Sequence, residues 1–287
     1  MAGVAVSVRP IDDSDVDSVS RFLHQHLNPR VPADHWIRLL RPPWADVSPN
    51  RGFLLAVEDA LVGVYAAVYS EREAAGQKLR ACNLAAFCVL DGYRMHGLRL
   101  LRALLSQQGY EFTDLSPSGN VIALNERLGF ERIPSDTTLV INLPSNPLRG
   151  VSISTDSETL ARTLNGVDFD IYKDHRAAPA ANHLLIERDG EYGYLMFRRD
   201  RRKRLPLFAT PLYVGGDRSL IASGWSSIAS RLLRDGLPFT LAEPRLLGFE
   251  PGPGFRLRHP RPRMYRGRVL DAENVDYLYS ELTLVTW

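Results

Sequence analysis

An α/β (α+β) fold present in two tandem copies is predicted by three observations. Strand and helix patterns alternate in a definite order over the first half, a turn-rich segment follows, and landmarks then return at held spacing. With 287 residues the chain has room for two cores of about 140 residues each, near the commonest domain size.

The first half opens with a strand pattern from Val4 to Arg9. Asp12, Asp13 and Ser14 follow as cap candidates for a helix whose apolar positions are Val16, Val19, Phe22 and Leu23. A connection rich in Pro and Trp (Pro29, Pro32, Trp36, Pro42, Pro43, Trp44) leads to a β-hairpin, Gly52 to Val57 and Leu61 to Tyr69, turning at Glu58 to Ala60. Lys78 to Leu90 reads as a strand, Asp91 to Gly97 as a loop, and Leu98 to Gln107 as a helix carrying Leu98, Leu101, Leu104 and Leu105 on one face. A strand at Tyr110 to Leu115, a helix at Asn120 to Leu128 and a closing strand at Arg132 to Leu143 complete the order β α β β β α β α β. The segment Pro144 to Gly150 has the turn-former density of a linker, so domains of 1–146 and 147–287 are expected. Beyond it Leu54, Leu55 and Gly63 recur as Leu184, Leu185 and Gly193. FTDLSP at 112–117 echoes as FTLAEP at 239–244, and LGFE at 128–131 returns at 247–250.

A hydrophobic fraction of 45% and a charged fraction of 24% are those of an ordinary globular chain, which leaves out disorder. A net charge of +2 is too balanced to recruit nucleic acid or a membrane surface. The basic run Arg198, Arg199, Arg201, Arg202, Lys203 and Arg204 reads as a solvated hairpin loop rather than an anion site. Cys82 and Cys88 share one strand, where they pack rather than bridge, and a reducing cytoplasmic setting is expected. The opening MAGVAVSVRP lacks a basic segment before a long apolar stretch, and no run of about 18 apolar residues occurs, so neither secretion nor membrane spanning is expected. Trp225, Tyr265, Tyr277, Tyr279 and Trp287 are read as core or interdomain packing, with substrate lining as the alternative.

The segment FCVLDGYRMHGLRLL, Phe87 to Leu101, carries the chemistry. A strand passes through a short loop holding Arg94 and Gly97 directly into a leucine-rich helix. Unpaired N–H groups and the positive end of the helix dipole favour an anion such as pyrophosphate there, and glycine lets the backbone approach it.

These residues resemble the GNAT superfamily of acyltransferases, whose turn reads Arg/Gln-x-x-Gly-x-Gly/Ala after a strand ending Val-x-Pro-x-x. Val89, Tyr93, Arg94 and Gly97 fall on matching positions, whereas Asp91 stands for the proline and Arg99 for the last small residue. Asn125, Leu128, Gly129 and Phe130 lie where the family has Tyr-x-x-x-Gly-Phe. The resemblance covers 4–143 well and the remainder faintly. It implies two tandem domains, each a mixed, mostly antiparallel twisted sheet flanked by helices, the second degenerate. It also implies a bacterial, cytoplasmic N-acyltransferase that uses acetyl-CoA or another acyl-CoA on a small-molecule amine, with a homodimer allowed. The cofactor residues it implies are Cys88, Val89, Arg94, Met95, His96, Gly97, Leu98, Arg99 and Asn125, and the catalytic ones are Asp114, Ser116 and Asn125.

What the resemblance implies chemically is direct attack by an amine on a thioester, with a backbone oxyanion contact, a route for the amine proton and an acid for the thiolate. The usual acid, a tyrosine, is replaced by Asn125, which has no proton to give a thiolate. Asp114 is the best-placed base, the alternative being that it caps the next turn. Tyr93 and His96 are further candidates, and His96 equally fits a solvent-facing role. Arg99 either covers its helix or grips a phosphate. In the second copy Gly215, Gly216 and Asp217 precede a helix of Ser219 to Leu233 without Arg-x-x-Gly, and an aspartate there competes with phosphate, so no cofactor is expected in that half. Two other readings stay open: a catalytically silent acyl-CoA sensor or scaffold, suggested by Asn125, and an aminoacyl-tRNA-dependent transferase of the peptidoglycan-building type, disfavoured by the low net charge.

Overall fold

The computed structural model describes residues 5–45, 47–74, 76–117, 119, 121–146, 148–202 and 205–286. Val4, Asn120, Pro147, Lys203, Arg204 and Trp287, on which some expectations fall, lie outside them. In chain order the elements are β1 (Val6–Pro10), α1 (Val16–His26), α2 (Ala33–Leu40), β2 (Gly52–Val57), β3 (Ala60–Ala74), β4 (Gln77–Val89), α3 (Gly97–Leu105), β5 (Glu111–Asp114), α4 (Val121–Arg127), β6 (Glu131–Arg132) and β7 (Thr138–Ile141). There follow β8 (Val151–Ser154), α5 (Ser157–Thr163), α6 (Gly166–His175), β9 (Asn182–Arg188), β10 (Glu191–Arg202), β11 (Leu205–Gly216), α7 (Arg218–Ser223), α8 (Trp225–Arg234), β12 (Phe239–Ala242), α9 (Pro244–Leu247), β13 (Gly254–Arg256), β14 (Met264–Arg266) and α10 (Glu281–Leu284). Two differences from the sequence expectation are local. The Pro/Trp connection contains α2, whose Trp36, Leu39 and Leu40 are buried, and Asp91–His96 is a 3-10 turn running straight into α3.

The chain forms two units, each with one mixed sheet flanked by helices, the fold class expected. Unit 1 takes Met1–Ile133, Pro262–Val275 and Tyr279–Val285; unit 2 takes Pro134–Arg261, Asp276–Leu278 and Thr286–Trp287. In unit 1 the strand order is β1-β2-β3-β4-β5-β14-β6 and in unit 2 it is β13-β7-β12-β11-β10-β9-β8. The two orders match strand for strand when the last strand of each chain half is exchanged. β14 lies between β5 and β6, and β7 lies between β12 and β13.

A boundary near 147 therefore does not separate the units. The expected single strand from Arg132 to Leu143 is broken by Pro134 into β6, which stays in unit 1, and β7, which pairs antiparallel with β12 of unit 2. Turn composition marks where the chain is free to bend, but strand partners far along the chain decide which sheet each strand joins.

Each unit buries a continuous apolar cluster. In unit 1 Leu100, Leu101 and Leu104 of α3 pack on Leu55, Tyr65, Tyr69, Cys82 and Leu84. In unit 2 Trp225, Ile228, Ala229 and Leu232 of α8 pack on Leu184, Ile186, Leu195 and Val214. The basic run is not the solvated loop expected, since Arg198 and Asp200 face inward on β10. Asp200 accepts from Arg261 Nη1 at 2.7 Å and from Thr210 Oγ1 at 3.2 Å. Of the aromatics, Trp225 is core in unit 2. Tyr277 is buried there against Glu243 and Arg245, Tyr265 bonds Glu131 in unit 1, and Tyr279 meets the Trp44 ring at 5.1 Å.

Strand exchange makes a direct prediction. A fragment of residues 1–146 lacks β14, the strand between β5 and β6, and exposes β7 with no sheet to join. We expect it to show no cooperative thermal melt and poor amide dispersion by NMR, whereas cooperative unfolding would mean that the exchanged strand is dispensable.

Candidate active site

In unit 1 the site is built where the sheet opens. β5 runs parallel to β4 only at Ala81, Cys82 and Asn83, opposite Glu111, Phe112 and Thr113. Directly beyond, β4 carries a bulge: Ala66 pairs with Ala86 and Ala67 with Leu84, leaving Ala85 as the extra residue. The strands part, and β4 continues to Val89 with only β3 as a ladder partner. Backbone N–H groups on its other edge are left for a ligand or solvent.

At the end of β4 the 3-10 turn and α3 carry the expected cofactor residues. Gly97 starts α3 in ordinary helical conformation, φ −56°, and is buried. A Cβ there would lie 2.9 Å from the Phe87 ring, so glycine lets the first turn of α3 approach β4. Arg94 is exposed, and its guanidinium pairs with Asp91 at 2.8 Å. Met95 is 82% exposed and Cys88 is buried. His96 and Leu98 are partly covered. Arg99 donates from Nη1 to the Val6 carbonyl at 2.8 Å, tying α3 to β1. That contact favours the covering role for Arg99.

Across the opening, Asp114 ends β5 and is 4% exposed. Its Oδ2 accepts from Asn125 Nδ2 at 2.8 Å, and the Ser116 N–H also bonds it. Burial and then the nearby Glu281 carboxylate push its pKa up to about 7, against the opposing pull of those two donors. Asn125 is fully buried on α4, and among the described residues its Oδ1 has no hydrogen-bond partner. The helix that places it ends at Gly129, φ 84°, in the left-handed region that glycine tolerates. Asn125 thus orients Asp114.

Four residues here are missing from the sequence reading. Glu281, fully buried on α10, accepts from Asn83 Nδ2 at 2.5 Å and from Ser116 Oγ at 2.6 Å. Thr113 Oγ1 donates to Asn83 Oδ1 at 3.0 Å. Tyr65 is buried nearby, its phenol pushed well above the usual value by burial and by the Asp114 charge. No local signal pointed to Glu281, which lies 165 positions from Ser116. A polar Asn83 and Thr113 within otherwise apolar strands were the available hint. Tyr93 packs at the edge of the unit 1 core. The two thiols are buried and unbridged, Cys82 pushed by burial up to about 12 and Cys88 to about 11, so neither is a nucleophile.

Unit 2 fills the corresponding place with its own side chain. At the end of β11, Asp168 of α6 accepts from the Gly216 N–H at 2.8 Å, Tyr213 Oη at 2.8 Å and Tyr192 Oη at 3.0 Å. A Cβ on Gly215 would sit 1.9 Å from Asp168 Oδ1. Asp217 accepts from Ser219 N at 2.7 Å and caps α7. The carboxylate expected to compete with phosphate is present, and Asp168 adds a second that sequence reading did not find.

The raised Asp114 pKa fixes the sign of a stability effect. Folded protein holds this proton at pH values where an unfolded carboxyl, at 3.8, has lost it. The contribution is thus complete below about 4 and is lost as pH rises through about 7. We expect Asp114→Asn to flatten that part of the Tm profile; an unchanged decline would show that Asp114 titrates normally.

No family model matches the chain, and no curated protein is similar to it in sequence. Solved structures are similar in fold. A GCN5-related N-acetyltransferase from Anabaena variabilis aligns over 91% of this chain and 72% of its own, at 13% identity and TM-score 0.61. Another, from Kribbella flavida, aligns over 91% and 70% at 16% identity and TM-score 0.57. The N-myristoyltransferase of Saccharomyces cerevisiae, solved with bound myristoyl-CoA, aligns over 98% and 85% at 11% identity and TM-score 0.51. At these identities the likeness is one of architecture: the chain has the fold of the GCN5-related N-acetyltransferases.

Proposed function

We propose that the protein is an acyl-CoA-dependent N-acyltransferase that modifies a small-molecule amine within unit 1, acetyl-CoA being the first donor to test. One observation carries the reading: the sheet opens between β4 and β5 with a helix N-terminus on one side of the opening and a buried carboxyl near pKa 7 on the other. Fit to an acyl-CoA is supported by Gly97, which leaves no Cβ between α3 and β4, by the exposed Arg94, and by the orphaned buried Asn125 Oδ1. Residues Cys88 to Leu98, with Asn125, would hold it.

When bound, acyl-CoA supplies an acyl group already activated as a thioester. The chain does the rest. Backbone N–H groups on the free edge of β4 are placed to stabilise negative charge on a carbonyl oxygen. Asp114, half ionised near neutral pH, is matched to take a proton from an attacking amine, directly or through one water. Asn125 holds the carboxylate and supplies no proton itself. The buried cluster excludes bulk water from the carboxyl, which raises its basicity. Unit 2, with Asp168 on its own amides, serves as a support rather than a second cofactor site. We assign the protein to a bacterial cytoplasm. No helix among the described residues is long and apolar enough to cross a membrane.

Calorimetric titration with acetyl-CoA, followed by thiol release on a panel of primary amines, tests this reading. Arg94→Glu alters an exposed side chain, so folding should be untouched. A repulsion of roughly 1 to 3 kcal/mol against phosphate should weaken affinity about ten- to hundred-fold. Asp114→Asn should keep that affinity and lower kcat by about a hundred-fold or more. Binding without thiol release on any amine would favour a silent acyl-CoA sensor, and no binding would end both readings.

A further inference from the structure

Beside Asp114 the proposed chemistry leaves a fully buried carboxylate unused, that of Glu281. It belongs to unit 1 although it arrives from the far end of the chain, and it sits in the gap that the parting strands create. Asn83 is the last β4 residue paired with β5, and Ser116 lies two positions beyond the end of β5. Each donates to a different oxygen of Glu281, Asn83 to Oε2 and Ser116 to Oε1. Carboxylates are rarely fully buried, and two aimed donors fix this one in position and orientation. Its anchor is local: Ser280 caps α10 by accepting from the Leu282 N–H.

We infer that Glu281 is a positioning residue of the acyl-transfer site, its pinned carboxylate providing the negative charge against which Asp114 gives up and takes back a proton. This rests on the acyltransferase reading for its catalytic meaning, but the closeness of the two carboxyls does not: Ser116 gives its N–H to Asp114 and its hydroxyl to Glu281. Among the groups around Asp114, Glu281 is the carboxylate that raises its proton affinity. From α4 comes the neutral Asn125, from β3 the phenol of Tyr65, and from β4 the thiol of Cys82, both held protonated by burial. From β14 comes Met264, directly opposite Asp114, with Tyr265 alternating to the other face, and the buried Arg263 precedes the strand. Glu281 is the second-largest cause of the upward shift, after burial itself. A base near neutral pH is suited to an amine, and a carboxyl at its ordinary value would be a poor one.

The test is a carboxyl-carbon NMR titration of the full chain without acyl-CoA, on the parent, Glu281→Gln and Glu281→Asp. In the parent Asp114 should titrate near 7. Glu281→Gln keeps the shape and removes the charge, and should lower that midpoint by about one pH unit or more, while Glu281→Asp should restore most of it. In transfer from acetyl-CoA to primary amines, the acidic limb of kcat/KM should move with the same midpoint while acetyl-CoA affinity stays constant. A Glu281→Gln protein whose Asp114 midpoint equals the parent's overturns the inference. So does a parent Asp114 that titrates near 4, which needs no variant to fold. Failure of the parent to bind acetyl-CoA would instead sink the acyltransferase reading, with the NMR midpoints still deciding the coupling.

Discussion

The divergence of β4 from β5 after three paired residues is the constraint on which the rest of unit 1 depends. A parallel ladder broken in mid-sheet leaves backbone donors and acceptors without partners inside the protein, and such groups must be satisfied by side chains, water or ligand. The bulge at Ala85 turns β4 away, and Asn83, Thr113, Ser116 and Glu281 close the crotch with hydrogen bonds. Asp114 is then trapped between this polar knot and the apolar core, where water is scarce. Its shifted proton affinity follows from the splay, and so does the accessible edge of β4. One strand geometry thus prepares both sides of the opening.

The exchange of β7 and β14 explains why the two halves share one pattern yet do not separate at the linker. Each sheet has four antiparallel neighbours, then a parallel strand, then a strand from the other half. Both LGFE segments place a left-handed glycine after a helix, Gly129 at φ 84° and Gly248 at φ 82°. The two units differ at the turns that end β4 and β11. In unit 1 the turn after β4 leaves Arg94 exposed, whereas in unit 2 Asp168 satisfies the amide at the end of β11 and two tyrosines hold it there. α9 has four residues against seven in α4, which leaves little helix to line a second site.

Much of the element order was legible because it rests on local signals: apolar runs rich in β-branched and aromatic residues for the strands, leucines at helical spacing in α3, and turn residues between them. The turn at Arg94 to Gly97 was legible for the same reason, being a strand, a glycine and a helix in succession. The strand exchange was not, since nothing local in the short stretch from β6 to β7 names a sheet, and only distant partners decide their sheets. Asp114 stood out because the family resemblance puts the thioester at the end of the fifth strand. Glu281 and Asp168 were invisible because their burial depends on long-range packing, and an acidic residue on a short helix looks like solvent-facing surface. Arg198 was misread for a related reason. Its neighbours Arg199 and Arg201 are exposed, and the alternation of a strand turns it inward against the trend of its own run.

The central claim is that the opening in unit 1, and no place in unit 2, receives acyl-CoA. Hydrogen–deuterium exchange on the full chain with and without acetyl-CoA addresses it most directly, because it reads both turns in one sample. The account predicts slowed exchange over residues 85–101 and 114–125, with the segment 210–223 unchanged. Protection confined to 210–223, or none anywhere at concentrations that saturate the calorimetric signal, would contradict it.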